Sequence, residues 1–124
     1  MTTEEMERWN RFVQVICQKE EKDLSPIQKK AFLCFWYDAE MNSGGHCGYF
    51  DACPEAEPQE LIDALTEIGG KEIADNFQKA LEEGEEDDWT ETDGAYYAFS
   101  PSLADCLQRY VADHEESIFQ DGAD

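Results

Sequence analysis

The stretch that decides the fold is residues 25–45, which read SPIQKKAFLCFWYDAEMNSGG. Ser25 suits a helix N-cap, Pro26 suits the first helical position, and Gln28 completes a capping box. Apolar and aromatic residues between this cap and Met41 cover nearly every face of the helix. A helix that is apolar all round is normally buried. The stretch therefore predicts a central buried helix that runs to about Met41.

The end of this helix carries its own pattern of polar residues and glycines. Gly44 and Gly45 are expected to stop it, because glycine readily adopts the left-handed cap conformation. Glu40 has two interpretations, a buried functional carboxylate or a structural group. The second is favoured, with Glu40 and Asn42 making hydrogen bonds that hold the glycine turn. Residues 46–53 are short and aromatic and predict one or two helical turns.

The rest of the chain predicts helices and no strands. Apolar residues recur at three- and four-residue steps over residues 4–20, 58–68, 71–83 and from Ser100-Pro101 to about Ile118. Residues 82–93 are expected to be a loop, and residues 94–99 to fold over the edge of the core. The fold class is therefore all-α, a single compact domain of about five main helices around the buried central helix. We expect residues 1–118 to form this domain and residues 119–124 to be a frayed acidic tail.

Net charge excludes two classes of partner. The chain has nine Lys and Arg against 30 Asp and Glu, which gives −21. Residues 1–30 are neutral overall, so the entire excess lies on residues 31–124. Direct binding to nucleic acid or to an anionic membrane needs a basic surface, so both are excluded. Neither a signal peptide nor a long apolar run is recognisable, so we expect a cytoplasmic protein.

Two groups of carboxylates are candidates for an anionic binding surface. Glu60, Asp63 and Glu67 share the helix face opposite Leu61 and Leu65, and neighbours at such steps lie about 5–6 Å apart at Cβ. This spacing resembles that of phosphates along DNA. A second group extends the surface through the expected loop: Glu82, Glu83, Glu85, Glu86, Asp87 and Asp88. The alternative is that both groups form a solvated face that keeps the protein soluble.

Five cysteines and no export signal indicate reduced thiols. His46, Cys47 and Cys53 form the one cluster that resembles metal ligands, but their spacing matches no established zinc pattern. We therefore expect neither a bound metal nor a cofactor.

Four strings of the sequence carry a family resemblance. They are YDAEMNSGG at 37–45, GYF at 48–50, Ala64-Leu65 with Ile68-Gly69, and Asp93 with Tyr96-Tyr97. Their content and order resemble the small acidic bacterial family typified by a DNA-mimic protein and largely catalogued as a domain of unknown function. The chain departs from the pattern at His46, where an aromatic is expected, and at Gly48, where Gln is usual.

The resemblance implies an all-helical domain, often a homodimer, whose acidic surface occupies the DNA-binding face of a transcription regulator. In this chain Glu40, Asn42, Gly44 and Gly45 would hold the motif turn, and Tyr49 and Phe50 would pack in the core.

The expected function is that of a non-enzymatic interaction protein with a basic DNA-binding protein or nuclease as its partner. One alternative is an immunity-type inhibitor of a basic toxin. The other is a small metal or thiol protein that uses His46, Cys47 and Cys53.

The charge excess predicts that salt stabilises the fold. Between about 0.01 M and 0.15 M salt, the Debye length falls from about 30 Å to about 8 Å, which screens repulsion within residues 31–124. We expect the melting temperature, measured by circular dichroism, to rise over this range. A melting temperature that falls instead would contradict an uncompensated anionic surface.

Overall fold

The computed structural model describes residues 2–54 and 56–119. This part of the chain forms seven α-helices and contains no strand: α1 (Thr3–Arg11), α2 (Pro26–Ala52), α3 (Pro58–Ile68), α4 (Lys71–Glu83), α5 (Thr90–Ala98), α6 (Leu103–Asp113) and α7 (Glu115–Ile118). The prediction of an all-α fold is confirmed. None of these helices combines the length and the apolar character that crossing a membrane requires.

Helix α2 is the centre of the fold, as the sequence predicts. The cap at Ser25 forms a full capping box, because Gln28 N donates to Ser25 Oγ at 3.3 Å and Ser25 N donates to Gln28 Oε1 at 2.9 Å. Ala31, Cys34 and Met41 are fully buried along the helix. Helices α3, α5, α6 and α7 all pack against it. The Gln28 side chain also donates to the carbonyl of Ile118 at 2.8 Å, which ties α7 to the start of α2.

The glycine pair divides α2 into two helical parts, which meet at Gly45. Gly45 has φ 67° and ψ −164°, whereas the residues on either side remain helical. The helix resumes at His46 and runs to Ala52, so the turns predicted at 46–53 are present. The first part of the helix runs past the expected Met41 to Gly44, and the predicted stop at the glycine pair falls at Gly45, where a positive φ redirects the chain.

Two predicted boundaries elsewhere in the chain are wrong. The helix expected at residues 4–20 is α-helical only as far as Arg11, where α1 ends. A π-helical turn (Phe12–Ile16) follows, and Cys17 N donates to Phe12 O at 3.0 Å. The last helix begins at Leu103 and not at Pro101, because Ser102 caps it in a box with Asp105. It is also divided at His114 into α6 and α7.

The segment expected to be a loop, residues 82–93, is largely helical. Helix α4 extends through Glu83, a 3₁₀ turn (Gly84–Asp87) follows, and α5 begins at Thr90. Helices α5 and α7 raise the number in the described chain from the expected five to seven. Residues 82–93 are mostly acidic and therefore lack the apolar periodicity from which the other helices were predicted.

The expected tail falls partly within the described chain. Phe119 packs against the core, and the Arg11 guanidinium lies 4.5 Å from its ring centroid. The other tail residues, 120–124, lie outside the described residues.

Substitution of Gly45 tests the break in α2. A Cβ at Gly45 would lie 2.5 Å from Asp93 Oδ2, and the positive φ strains any other L-residue. We expect Gly45→Ala to lower the free energy of unfolding by more than about 1 kcal/mol in urea denaturation. Gly44→Ala is the matched control, since its Cβ meets open space in a helical position. We expect it to be neutral or to stabilise by up to about 1 kcal/mol, and equal losses in both variants would contradict this account.

Candidate functional site

The carboxylate row on α3 is exposed but partly neutralised. Glu60, Asp63 and Glu67 face solvent, opposite the buried Leu61 and Leu65. The row therefore lies on the face that the sequence predicts. Tertiary packing, however, brings two lysines of α2 onto its ends.

These lysines form ion pairs with the outer members of the row. Lys29 Nζ lies 2.5 Å from Glu60 Oε2, and Lys30 Nζ lies 2.6 Å from Glu67 Oε1. Hydrogen bonds from Lys30 and from the Tyr110 hydroxyl lower the pKa of Glu67, so it stays ionised. Among the described residues, Asp63 accepts only from the neutral Gln59 amide, at 2.9 Å. The row on α3 is therefore present but partly compensated, because residues 25–30 place two lysines beside it.

The acidic segment, which we define as residues 82–88, keeps its charge. All six of its carboxylates are exposed: Glu82, Glu83, Glu85, Glu86, Asp87 and Asp88. Among the described residues, no lysine or arginine lies within ion-pair distance of any of them. Lys79 binds Glu91 at 2.6 Å, a contact that is the main cause of its raised pKa, and it also interacts electrostatically with Glu83 and Asp87 beyond ion-pair distance. The acidic segment is thus an exposed anionic surface whose carboxylates form no ion pair within the described part of the chain.

Trp89 holds the acidic segment in a fixed shape. Its indole Nε1 donates to Ala80 O at 3.0 Å, and its backbone N donates to Gly84 O at 2.7 Å. The indole lies so close to Gly84 that a Cβ there would be 2.1 Å from Trp89 Cδ1. Asp87 Oδ2 in turn accepts from Glu91 N at 3.0 Å and so supports the start of α5. The carboxylates are therefore carried on a folded turn and not on a loose loop.

A buried polar chain connects α5 to the break in α2. His46 has no exposed surface. Its backbone N and its ring Nδ1 both donate to Asp93 Oδ1, at 3.0 Å and 2.7 Å. Its Nε2 lies 2.6 Å from the hydroxyl of Tyr37, which is also fully buried. Because a carboxylate can only accept, Nδ1 carries the proton of the neutral ring, and Nε2 accepts from Tyr37.

Burial determines the protonation states of His46 and Tyr37. It lowers the pKa of His46, and the hydrogen bond to Asp93 opposes that shift only in part. Burial also raises the pKa of Tyr37 well above its ordinary value. Both rings are therefore neutral at pH 7. Since neither ring reaches solvent, the hydrogen bonds from Tyr37 through His46 to Asp93 act as a cross-link between α2 and α5.

Two more tyrosines reinforce the same contact between α5 and α2. The Tyr96 hydroxyl donates to Asp38 Oδ1, and the Tyr97 hydroxyl donates to the carbonyl of Met41. Asn42 also donates to Asp38, at 3.1 Å. The motif turn is thus held by Asp93 and the tyrosines of α5, whereas among the described residues no side-chain hydrogen bond joins Glu40 or Asn42 to Gly44 or Gly45, contrary to expectation.

The other motif residues lie where the helices meet. Glu40 is half-buried on α2, Tyr49 is buried, and Phe50 is half-buried. The Tyr49 ring centroid lies 5.2 Å from that of Tyr37, and Phe50 lies 5.8 Å from Trp89. Burial raises the pKa of Tyr49 to about 12.

The proposed metal ligands do not assemble. Cys47 is exposed and Cys53 is half-buried, and both ring nitrogens of His46 already have partners. Within residues 2–54 and 56–119, no group of three or more His, Cys, Asp or Glu side chains is arranged to hold a metal ion.

Sequence reasoning missed Asp93 and Tyr37 as a pair around His46. His46 itself was the sequence signal, because a histidine in an apolar segment is expected to be buried and then needs hydrogen-bond partners for both ring nitrogens. Asp93 belongs to the family string with Tyr96-Tyr97, but its place at the end of a run of acids gives no sign that it is the partner of His46.

The buried imidazole predicts a pH dependence of stability. Because the pKa of His46 is lower in the folded state than the unfolded value of about 6.5, the unfolded state takes up the proton first. We expect the free energy of unfolding, measured in urea, to fall as pH drops from 7.5 to about 5.5, and NMR of the His46 ring to show a midpoint below about 6.5.

Two variants isolate this effect. His46→Gln should flatten the decline, whereas the matched control His114→Gln should retain it, since it leaves the Tyr37–His46–Asp93 chain intact. An unchanged decline in His46→Gln, or an NMR midpoint above about 6.5, would contradict the assignment.

Comparison with known proteins places the chain in a family. Neither the curated proteins nor the solved structures gave a match. A family model described as "DMP19-like protein" matches residues 22–121, which is most of the 124-residue chain. The match includes Gly45, His46 and Asp93. The chain therefore belongs to the DMP19-like protein family.

Proposed function

We propose that this chain is a non-enzymatic DNA mimic, which occupies the basic, DNA-facing surface of a regulator or nuclease. The observation that carries the proposal is the acidic segment 82–88, whose six carboxylates are exposed, without ion pairs in the described chain, and held in shape by Trp89. Membership of the DMP19-like family supports it, given the resemblance of the sequence motifs to a family typified by a DNA mimic.

The physical basis is the competition between two polyanions for one cationic surface. Duplex DNA presents about one negative charge per 1.7 Å of axis. A protein that offers several fixed carboxylates attracts the same lysines and arginines and speeds association by electrostatic steering. A fixed array suits this role because little side-chain and loop ordering remains to oppose binding.

The α3 row has a secondary place in this proposal. Its ends are paired with Lys29 and Lys30. Exposed pairs of this kind are worth only about 0.2–1 kcal/mol, so a cationic partner can exchange with the lysines. The primary contact is assigned to segment 82–88, because its carboxylates form no ion pair with a lysine or arginine of the described chain.

A charge-neutralised variant tests the proposal. Glu82, Glu83, Glu85 and Glu86 are replaced by Gln together, and Asp87 is kept because it supports α5. Host proteins captured on the wild-type chain are purified, and their affinities are measured by calorimetry from low to high salt. We expect the variant to bind about tenfold more weakly at low salt, since four exposed charge contacts contribute about 0.4 kcal/mol each. Its affinity should also depend less steeply on salt.

The control removes the same number of charges elsewhere. Glu4, Glu7, Glu20 and Glu116 are exposed and lie outside the acidic segment. Their replacement by Gln should change affinity less than about threefold. Duplex DNA should displace the wild-type chain from its partner. Equal losses in both variants, an affinity independent of salt, or no competition by DNA would each contradict mimicry. A captured partner that cleaves DNA would identify the immunity-type form of the same function.

A further inference from the structure

A groove with an apolar floor is formed by residues that are distant in sequence from the acidic segment. It runs between the first half of α2 and the residues that lead into α3, and encloses about 560 Å³. Phe32, Leu33 and Trp36 of α2 line one side, and Cys53, Pro54 and Ala56 line the other. None of its lining residues belongs to segment 82–88.

Trp36 is the most exposed aromatic side chain in this groove. It keeps 38% of its surface accessible, although its ring packs edge-on against Phe35 at 5.1 Å and Phe32 at 6.4 Å. An exposed tryptophan supported from behind by other rings is a typical anchor point for a partner, because it offers a large contact area that is already ordered.

The rim of the groove is acidic, and two of its carboxylates form ion pairs with Lys29. Glu21, Glu57 and Glu60 line it, from the turn before α2, the cap of α3 and α3 itself. Lys29 Nζ lies 3.3 Å from Glu21 and 2.5 Å from Glu60, and these contacts raise its pKa. Glu57 precedes α3 without capping it through its side chain. Three carboxylates against one ammonium leave the rim with a net negative charge that favours a basic partner.

We propose that this groove binds a segment of a partner protein in which an aromatic or aliphatic anchor is flanked by lysine or arginine. The apolar floor accepts the anchor beside Trp36, and the rim carboxylates accept the flanking cations. A second copy of this chain is the other occupant that the test must exclude, since it would appear as a dimer in solution that Trp36→Ala dissociates, and that result would overturn the proposal. The groove thus adds an apolar contact to a surface whose other attractions are electrostatic.

The two kinds of contact differ in their response to salt. Attraction to the rim is screened as ionic strength rises, whereas burial of an anchor on Trp36 is not. This difference separates the groove from the DNA-mimic segment, whose binding depends on charge. The proposal does not rest on mimicry by segment 82–88, since no residue of that segment lines the groove, and it shares only Glu60 with the α3 row.

A random library of 12-residue peptides tests the groove directly. Peptides are selected on the wild-type chain and depleted on Trp36→Ala, and affinities of the survivors are measured by calorimetry at low and high salt. We expect the survivors to combine an apolar anchor with flanking Lys or Arg. Trp36→Ala should weaken them at least about tenfold at both salt concentrations. Glu57→Gln should weaken them about threefold, and only at low salt.

Two controls keep the result interpretable. Leu81→Ala removes an exposed apolar side chain that does not line the groove, and it should leave affinity unchanged. The wild-type chain has three tryptophans, so an NMR titration should shift the indole signal of Trp36 and spare those of Trp9 and Trp89.

The proposal is overturned if no selected peptide depends on Trp36, if the survivors are basic without an anchor, or if the Trp36 indole does not shift. The Gln variant at 82, 83, 85 and 86 should bind the same peptides as the wild-type chain does. Failure of the mimic is therefore distinguishable from failure of the groove.

Discussion

Asp93 accepts two hydrogen bonds from His46 at the residue where α2 resumes after Gly45. This contact joins residues 47 apart in sequence and determines where α5 lies on the central helix. It requires glycine at position 45, because any side chain would occupy the space of the Asp93 carboxylate. Tyr37 completes the buried chain from the other side of the imidazole. The position of α5 in turn orients Trp89 and the acidic segment that precedes it.

The charge of the molecule is divided between compensated and uncompensated carboxylates. On α3, lysines from the N-terminal half of α2 pair with Glu60 and Glu67. On segment 82–88, the described structure brings up no equivalent bases. Net charge by itself does not distinguish these two cases, because the ion pairs form only when the helices pack. The distinction matters for function, since a partner meets the full field only where no internal cation screens it.

The apolar groove adds a surface of a different kind. Its floor is supported by the same aromatic residues that make α2 a buried helix, and Trp36 remains exposed where they reach the surface. The acidic segment attracts cations from a distance, whereas the groove gives contact over a short range. Surfaces of these two kinds suit successive stages of association, encounter and then docking.

The sequence by itself determined the all-α class, the central helix with its Ser25 cap, the spans of α3 and α4, and the total charge. These follow from local rules of periodicity, capping and composition, which act within a few residues. Only the tertiary structure decided how the two parts of α2 are joined at Gly45, that Asp93 and the tyrosines of α5 hold the turn, and which carboxylates form ion pairs with lysines. Each of these depends on groups brought together from distant parts of the chain. Local patterns carry no information about such pairings, because the hydrogen bond or ion pair exists only after the helices have packed.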